Sequence, residues 1–273
     1  MNGPPASYKF RAEKVELSRR GFVAGVAAAG LAFAAPARVL ADSGDRVWTS
    51  LLRQYVVSSR DGINRVRYAA FKRESYGELA AYLMELQRVK VSSLGRADQF
   101  AFWVNLYNAE TVRVVLEHYP VRTIRDIDLG GGLFANGPWK KKLLTVEGRE
   151  LSLDDIEHEI LRKDFGDKRV HYAVNCASLG CPNLQLEAFT GARLDAMLDA
   201  GAADYINHPR GVNVVDGRVT ASKIYNWFSE DFGGNSDLIG HWRDYARPEL
   251  AGKLDEARRI SDYVYDWGLN DAA

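Results

Sequence analysis

The stretch HYAVNCASLGCPNL, residues 171–184, holds both cysteines of a 273-residue chain, Cys176 and Cys181, and one of its five histidines, His171. Thiols beside an imidazole admit three chemistries. A thiol that gives its proton to the imidazole becomes a nucleophile at neutral pH. Two thiols this close in sequence can join as a disulfide or redox pair. Cysteine is also a small apolar residue that packs inertly. In the nucleophilic case Cys181, or Cys176 in its place, attacks an amide or thioester, His171 is the base and a third polar group orients the imidazole.

Candidates for that third group come from two other segments. Projected at 100° per residue, the turns after Ser152 put Leu153, Ile156, Ile160 and Leu161 on one side, with Glu157 inside that arc and His158 on its flank. A carboxylate there must find a partner or shift its pKa; it is either a structural ion pair reaching the rim or a functional acid. Asn105 and Asn108 share a face with Ala101, Val112 and Val115. Buried amides need partners, so they either tie down a neighbouring loop or line a site as orienting or oxyanion donors. Phe102, Trp103 and Tyr107, from the same stretch, would line a groove for a peptide or small molecule.

The elements that must position these groups are short and mixed. Residues 96–120 carry apolar side chains almost all round a helix that Pro120 ends, so this helix is central and buried. Helices are also predicted over 47–57, 76–86, 153–161, 192–206, 223–232 and 237–245. Hairpins are predicted about Glu147-Gly148 and Asp216-Gly217, and strands over 64–68, 170–174 and, at an edge, 261–267. Without regular strand–helix alternation the class is α+β, a single helix-rich domain with a central buried helix and short hairpins. If residues 170–176 form a regular strand, His171, Ala173 and Asn175 face one way and Cys176 the other. The ASLG turn before Pro182 then returns Cys181 to the histidine side.

Other motifs fail. Gly132 and Gly137 have the outer spacing of a phosphate loop, but Pro138-Trp139 stand where Lys-Ser/Thr would bind phosphate and magnesium. A dinucleotide loop on Gly130, Gly132 and Ala135 needs a helix start that Gly137-Pro138 opposes. Lys140, Lys141 and Lys142 beside Trp139 fit a solvated strand entry better than an anion site. With no HExxH, paired CxxC or carboxylate cluster of metal spacing, no metal and no cofactor is expected.

The N-terminus has its own pattern. SRRGFV at 18–23, followed by an Ala/Gly-rich apolar run and a small-residue end at Ala41, resembles a twin-arginine export signal. The resemblance implies cleavage after Ala41, a mature domain over 42–273, and a periplasmic or extracellular location. It also implies folding before export in a reducing cytosol, so that the fold does not depend on a disulfide. The apolar run is shorter and weaker than a spanning helix. The whole chain has no formal net charge, with 36 basic and 36 acidic residues. Residues 42–273 hold 30 basic and 34 acidic residues, a mildly acidic balance that argues against nucleic acid as a partner.

Six segments in register, FWVNLYNAETVRVVLEHYP, GPWKKKLLTVEGRELSLDDIEHEIL, HYAVNCASLGCPNL, FTGARLDA, PRGV and KIYNWFSEDFGG, together resemble the domain of unknown function 547 family over about residues 95–234. Glu157, His158, His171, Cys176, Cys181 and the two asparagines fall on that family's polar motif positions. The resemblance suggests a papain-like or transglutaminase-like thiol arrangement, although in those enzymes the cysteine precedes its histidine and here both motif histidines come first. Three functions compete: an exported thiol hydrolase or acyltransferase, a non-catalytic peptide or small-molecule binding module, and a thiol–disulfide role.

Overall fold

The computed structural model describes residues 37–130, 137–234, 237–257 and 259–272. The export-signal segment, and Gly132 and Ala135 of the glycine-rich loop, lie outside the described residues. Ala35–Ala273 cluster as one compact unit.

Its first half is a helical layer. Helix α1 (Ala37–Tyr55) packs on α2 (Tyr68–Leu86), and α2 packs on α3 (Arg96–His118). A two-stranded antiparallel pair, β1 (Val56–Ser58) and β2 (Asn64–Val66), lies between α1 and α2 in the chain. Every residue of α3 from Phe100 to Val112 is buried, on all sides of the helix, as its all-round apolar pattern predicts. Residues such as Val104, Leu106 and Val115 are wholly enclosed by Trp48, Leu52, Leu83 and their neighbours. Each such side chain contributes roughly 1.5–3 kcal/mol by leaving water.

The hairpin β3 (Leu144–Val146) and β4 (Arg149–Leu151) turns on Glu147 and Gly148, with φ of 48° and 78°. That between β5 (Val212–Val215) and β6 (Arg218–Ser222) turns on Asp216 and Gly217, with φ of 50° and 70°. Both turns have two positive φ angles, the primed geometry that matches strand twist and that Asp-Gly favours. Glu147, less suited to this backbone, holds it through its carboxylate, which accepts from Ser92 N and Oγ.

After β4 the Ser152 and Asp155 pair caps the next helix, Ser152 N donating to Asp155 Oδ2 at 2.6 Å and Asp155 N to Ser152 Oγ at 3.2 Å. The helix itself, Asp155–Phe165, is a wide i→i+5 π-helix. Helix α4 (Leu194–Ile206) follows, then after β6 come α5 (Lys223–Trp227), α6 (Leu238–Tyr245) and α7 (Pro248–Asp255); the last was not anticipated. Strand β7 (Arg259–Val264) closes the three-stranded sheet at its edge, parallel to β6. These elements enclose a second core about Tyr205, Tyr225, Phe232 and Trp242. The architecture is α+β, with small separate sheets and no extended one.

One expected element is absent. Residues 168–172 form a 3-10 turn and not a strand. Asp167 starts the turn by accepting from Arg169 N at 2.9 Å. The bonds that a neighbouring strand would make are made by a side chain: Asn108 Nδ2 donates to Ala173 O at 2.9 Å and its Oδ1 accepts from Asn175 N at 2.8 Å. With these groups satisfied, the segment needs no ladder, and the predicted alternation of faces does not hold. Val170 and Val174 enter the first core while Tyr172 enters the second.

Candidate functional site

The loop between the cysteines is closed from several sides. Asn175 spans it, its Nδ2 donating to Pro182 O at 2.7 Å and its Oδ1 accepting from Ala177 N at 2.9 Å. The C-terminal segment adds backbone bonds, Leu179 N to Gly268 O and Gly180 N to Asp266 O, both at 2.8 Å. Tyr205 Oη donates to Gly180 O at 2.7 Å. A Cβ on Gly180 would stand 2.9 Å from the Asp266 backbone, so only glycine permits this approach. Ala177 has a left-handed φ of 59°, a conformation that costs an L-residue roughly 1 kcal/mol. Cys176 and Cys181 are joined as a disulfide, with Cα atoms 6.3 Å apart, inside the usual range.

This pair forms one wall of a cavity of about 190 Å³. Both sulfurs lie 3.1 Å from Tyr265 Oη. Ser178 Oγ is 3.3 Å from the Cys176 sulfur and 3.5 Å from that of Cys181. One contact distinguishes them: the backbone N–H of Cys176 donates to Cys181 Sγ at 3.0 Å. Cys176 is the more exposed; Cys181 is 4% accessible.

A second wall comes from the π-helix, whose first turns place Asp154, Glu157 and His158 at the cavity. Burial raises the Asp154 carboxyl above its ordinary value; His158 opposes the shift and Glu157 adds to it. Tyr107, from α3, is hydrogen bonded to Glu157. Burial first, and then the Glu157 charge, push its phenol well above the ordinary value.

His171 forms a third wall. Its Nε2 donates to Asp231 Oδ2 at 2.7 Å, and Phe228 stacks on the ring at 4.3 Å. Arg162 grips the same carboxylate through Nε at 2.6 Å and Nη2 at 3.0 Å, while its guanidinium lies over the Phe228 ring at 4.6 Å. Burial alone would raise Asp231; the hydrogen bonds from His171 and Arg162 outweigh it and hold the carboxyl well below the usual range. The remaining wall is aromatic: Trp139, Trp227 and Trp267, with Tyr265 packed on Trp267 at 4.7 Å and on Trp227 at 4.9 Å.

Of the residues singled out in the sequence, Cys176, Cys181, His171, Glu157, His158 and Tyr107 meet at this cavity. Asn105, Asn108 and Trp103 lie away from its lining. Asn105 clamps Phe189, its Nδ2 donating to Phe189 O at 2.8 Å and its Oδ1 accepting from Phe189 N at 2.9 Å. Asn108 clamps residues 173–175 in the same way. Trp103 packs in the first core, edge to face with Phe102 at 5.0 Å. The expectation that the two cysteines face opposite ways is corrected with the strand on which it rested, because both line one cavity with His171.

Sequence reasoning missed Asp154, Asp231, Tyr265 and Trp267. The last two were legible in part: in SDYVYDW residues 263, 265 and 267 share a face at strand spacing, and beyond β7 two of them reach the cavity. Nothing local marks Asp231 as the partner of His171, 60 residues away. Neither sulfur is hydrogen bonded to an imidazole among the described residues. Among the described residues no three His, Cys, Asp or Glu side chains gather to hold a metal ion, and no helix is long and apolar enough to cross a membrane.

Residues 91–206 match the model of a family described as "Protein of unknown function, DUF547". The match covers the cysteine loop, the π-helix and α3, and ends before the PRGV and KIYNWFSEDFGG segments. Comparison with curated proteins and with solved structures gives no match.

Proposed function

We propose that this is an exported thiol–disulfide exchange protein, working through Cys176 and Cys181 in a cavity sized for a small thiol or a single side chain. The observation that carries the reading is the bonded pair in the cavity wall, with an added backbone donor on Cys181. An incoming thiolate attacks the sulfur of Cys176, the more exposed of the two residues. The Cys176–Cys181 bond breaks, a mixed disulfide forms on Cys176, and Cys181 leaves as a thiolate. Hydrogen bonds to a departing thiolate favour it, and Cys181 receives the Cys176 N–H. A second thiolate then attacks the substrate sulfur of the mixed disulfide. The substrate disulfide departs, Cys176 takes up a proton, and the reverse reaction with a substrate disulfide restores the pair. Export by the twin-arginine route would place the pair where disulfides persist.

A thiol hydrolase with Cys181 as nucleophile and His171 as base would need the reduced pair and a different His171, whose Nε2 is taken by Asp231. A binding module would use the same cavity with the disulfide as inert wall. Single-cysteine variants of the purified protein separate these readings. With exchange, Cys181→Ser leaves an accessible Cys176 that forms a mixed disulfide with an aromatic disulfide reagent, about tenfold faster or more than Cys176→Ser does through Cys181. Two free thiols in the untreated protein, or equal and slow reaction of both variants, would overturn the proposal.

A further inference from the structure

The sulfur wall faces a cavity whose other walls select by charge. Among the described residues its lining carries two carboxylates, Asp154 and Glu157, and no lysine or arginine. Aromatic rings share that lining, among which Trp227 is 44% exposed. Aromatic faces attract cations through their quadrupole, and carboxylates in a partly desolvated cavity do so more strongly. The outer faces of this wall already show the preference: Arg125 lies over the Trp267 ring at 5.2 Å and Arg162 over Phe228 at 4.6 Å. Both arginines are outside the lining, although Arg162 acts on Glu157 from behind and Lys140 and His158 act on Asp154, with His158 Nε2 3.8 Å from its Oδ1.

Size adds a second limit. A cavity of 190 Å³ is about 7 Å across if spherical, somewhat larger than one that admits benzene. The enclosed part suits a short chain. A molecule whose sulfur meets Cys176 therefore shares the cavity with the carboxylates and rings.

We infer that the thiol exchanged here is a small aminothiol, with an ammonium about two carbons from sulfur, held by the Glu157 and Asp154 carboxylates and the tryptophan wall. This rests on the exchange reading above and names its substrate class. Two aminothiols reduce the pair: the first becomes the mixed disulfide on Cys176 and releases Cys181 thiolate. The second attacks the aminothiol sulfur and the two leave as the aminothiol disulfide; their two electrons pass to the protein pair, whose sulfurs take up two protons and end as thiols.

The test uses the full-chain oxidised protein and three probes of similar size: cysteamine, 2-mercaptoethanol and 3-mercaptopropionate. Second-order rates of reduction, expressed per thiolate to remove differences in thiol acidity, are read by alkylation and mass spectrometry and divided by the rates for a linear disulfide peptide. The expected order is cation over neutral over anion, with about tenfold or more between the extremes. Glu157→Gln should reduce that spread at least threefold, read as the ratio of the cysteamine rate to the 3-mercaptopropionate rate in the same protein. Fast reduction by all three thiols with no charge order overturns the aminothiol assignment and leaves the exchange reading standing. Reduction no faster than the linear peptide with any thiol overturns both.

Discussion

Replacing Asn108 by alanine tests the claim that this amide shapes the site without touching its occupant. The side chain makes two bonds to main chain that is itself enclosed: Ala173 is 2% and Asn175 5% accessible. Each bond contributes roughly 1 kcal/mol net, but orphaning a buried N–H or C=O costs roughly 1–3 kcal/mol. With two groups orphaned, the expected loss is about 3 kcal/mol, a large part of a native stability of roughly 5–15 kcal/mol. With a urea m-value near 2 kcal/mol/M, within the range for small domains, the unfolding midpoint falls by about 1.5 M. Asn108→Asp sharpens the case: Oδ1 still accepts from Asn175 N, while a second carboxylate oxygen now meets the Ala173 carbonyl. That variant should lose stability as pH rises through its own carboxyl pKa. Urea unfolding by far-UV circular dichroism at pH 5 and 8 measures both effects. A midpoint within 0.3 M of the parent for Asn108→Ala would refute the clamp, as would an Asn108→Asp whose change in midpoint between pH 5 and 8 equals the parent's. An amide acting only as an oxyanion donor would change activity and leave these midpoints in place.

Two further predictions concern buried charges. Burial first, and then the charge of Lys168, lower His241 to about 4, from an ordinary value near 6.5. The folded state therefore keeps this imidazole neutral, and its contribution is full above pH 6.5. The unfolded chain binds the extra proton as pH falls from 6.5 to about 4, removing about 3 kcal/mol in all, with no further loss below. Unfolding midpoints from pH 4 to 7.5 should slope in this window for the parent and flatten for His241→Gln; an equally steep variant would sink the assignment. In α3, the Glu110 side chain is 1% accessible and is paired with Arg113. Burial raises its carboxyl and Arg113 opposes the shift. Arg113→Ala strands that carboxylate and should cost about 3–5 kcal/mol. Adding Glu110→Gln should recover part of the loss, and additive losses would show that the pair is not coupled.

How much of this was legible follows from what each segment needs. Helix α3 is enclosed on every side, so its apolar residues break the usual amphipathic pattern in a way that only a central helix explains. The two hairpins announce themselves because their turns need positive φ, and Glu147-Gly148 and Asp216-Gly217 stand at those positions. Helix α7 was missed because PELAGKLD is short and, apart from Leu254, presents no buried position to make a stripe. The capping residues of the π-helix were visible, but its wider winding was not, since hydrogen-bond register is not a property of residue type. Glu157 still reaches the cavity because it lies in the first turn, where little angular error has accumulated.

The cysteine segment shows why strand alternation failed where it mattered most. VHYAV has strand composition, yet composition measures fitness for a pleated surface and does not supply a neighbouring strand. Here the neighbour is a helix, and a helix has no spare backbone donors on its side. Asn108 and Asn105 meet that shortage by offering an amide in place of a peptide, each pairing one donor and one acceptor with a passing main chain. Two polar residues on the buried face of α3 were thus a sign that irregular backbone, not substrate, runs alongside. Freed from a ladder, residues 171–176 curl, which sends His171 to Asp231 and both sulfurs to the same cavity. The Asn108 amide that drew attention as a candidate catalytic donor is therefore what lets the thiol pair lie at that wall.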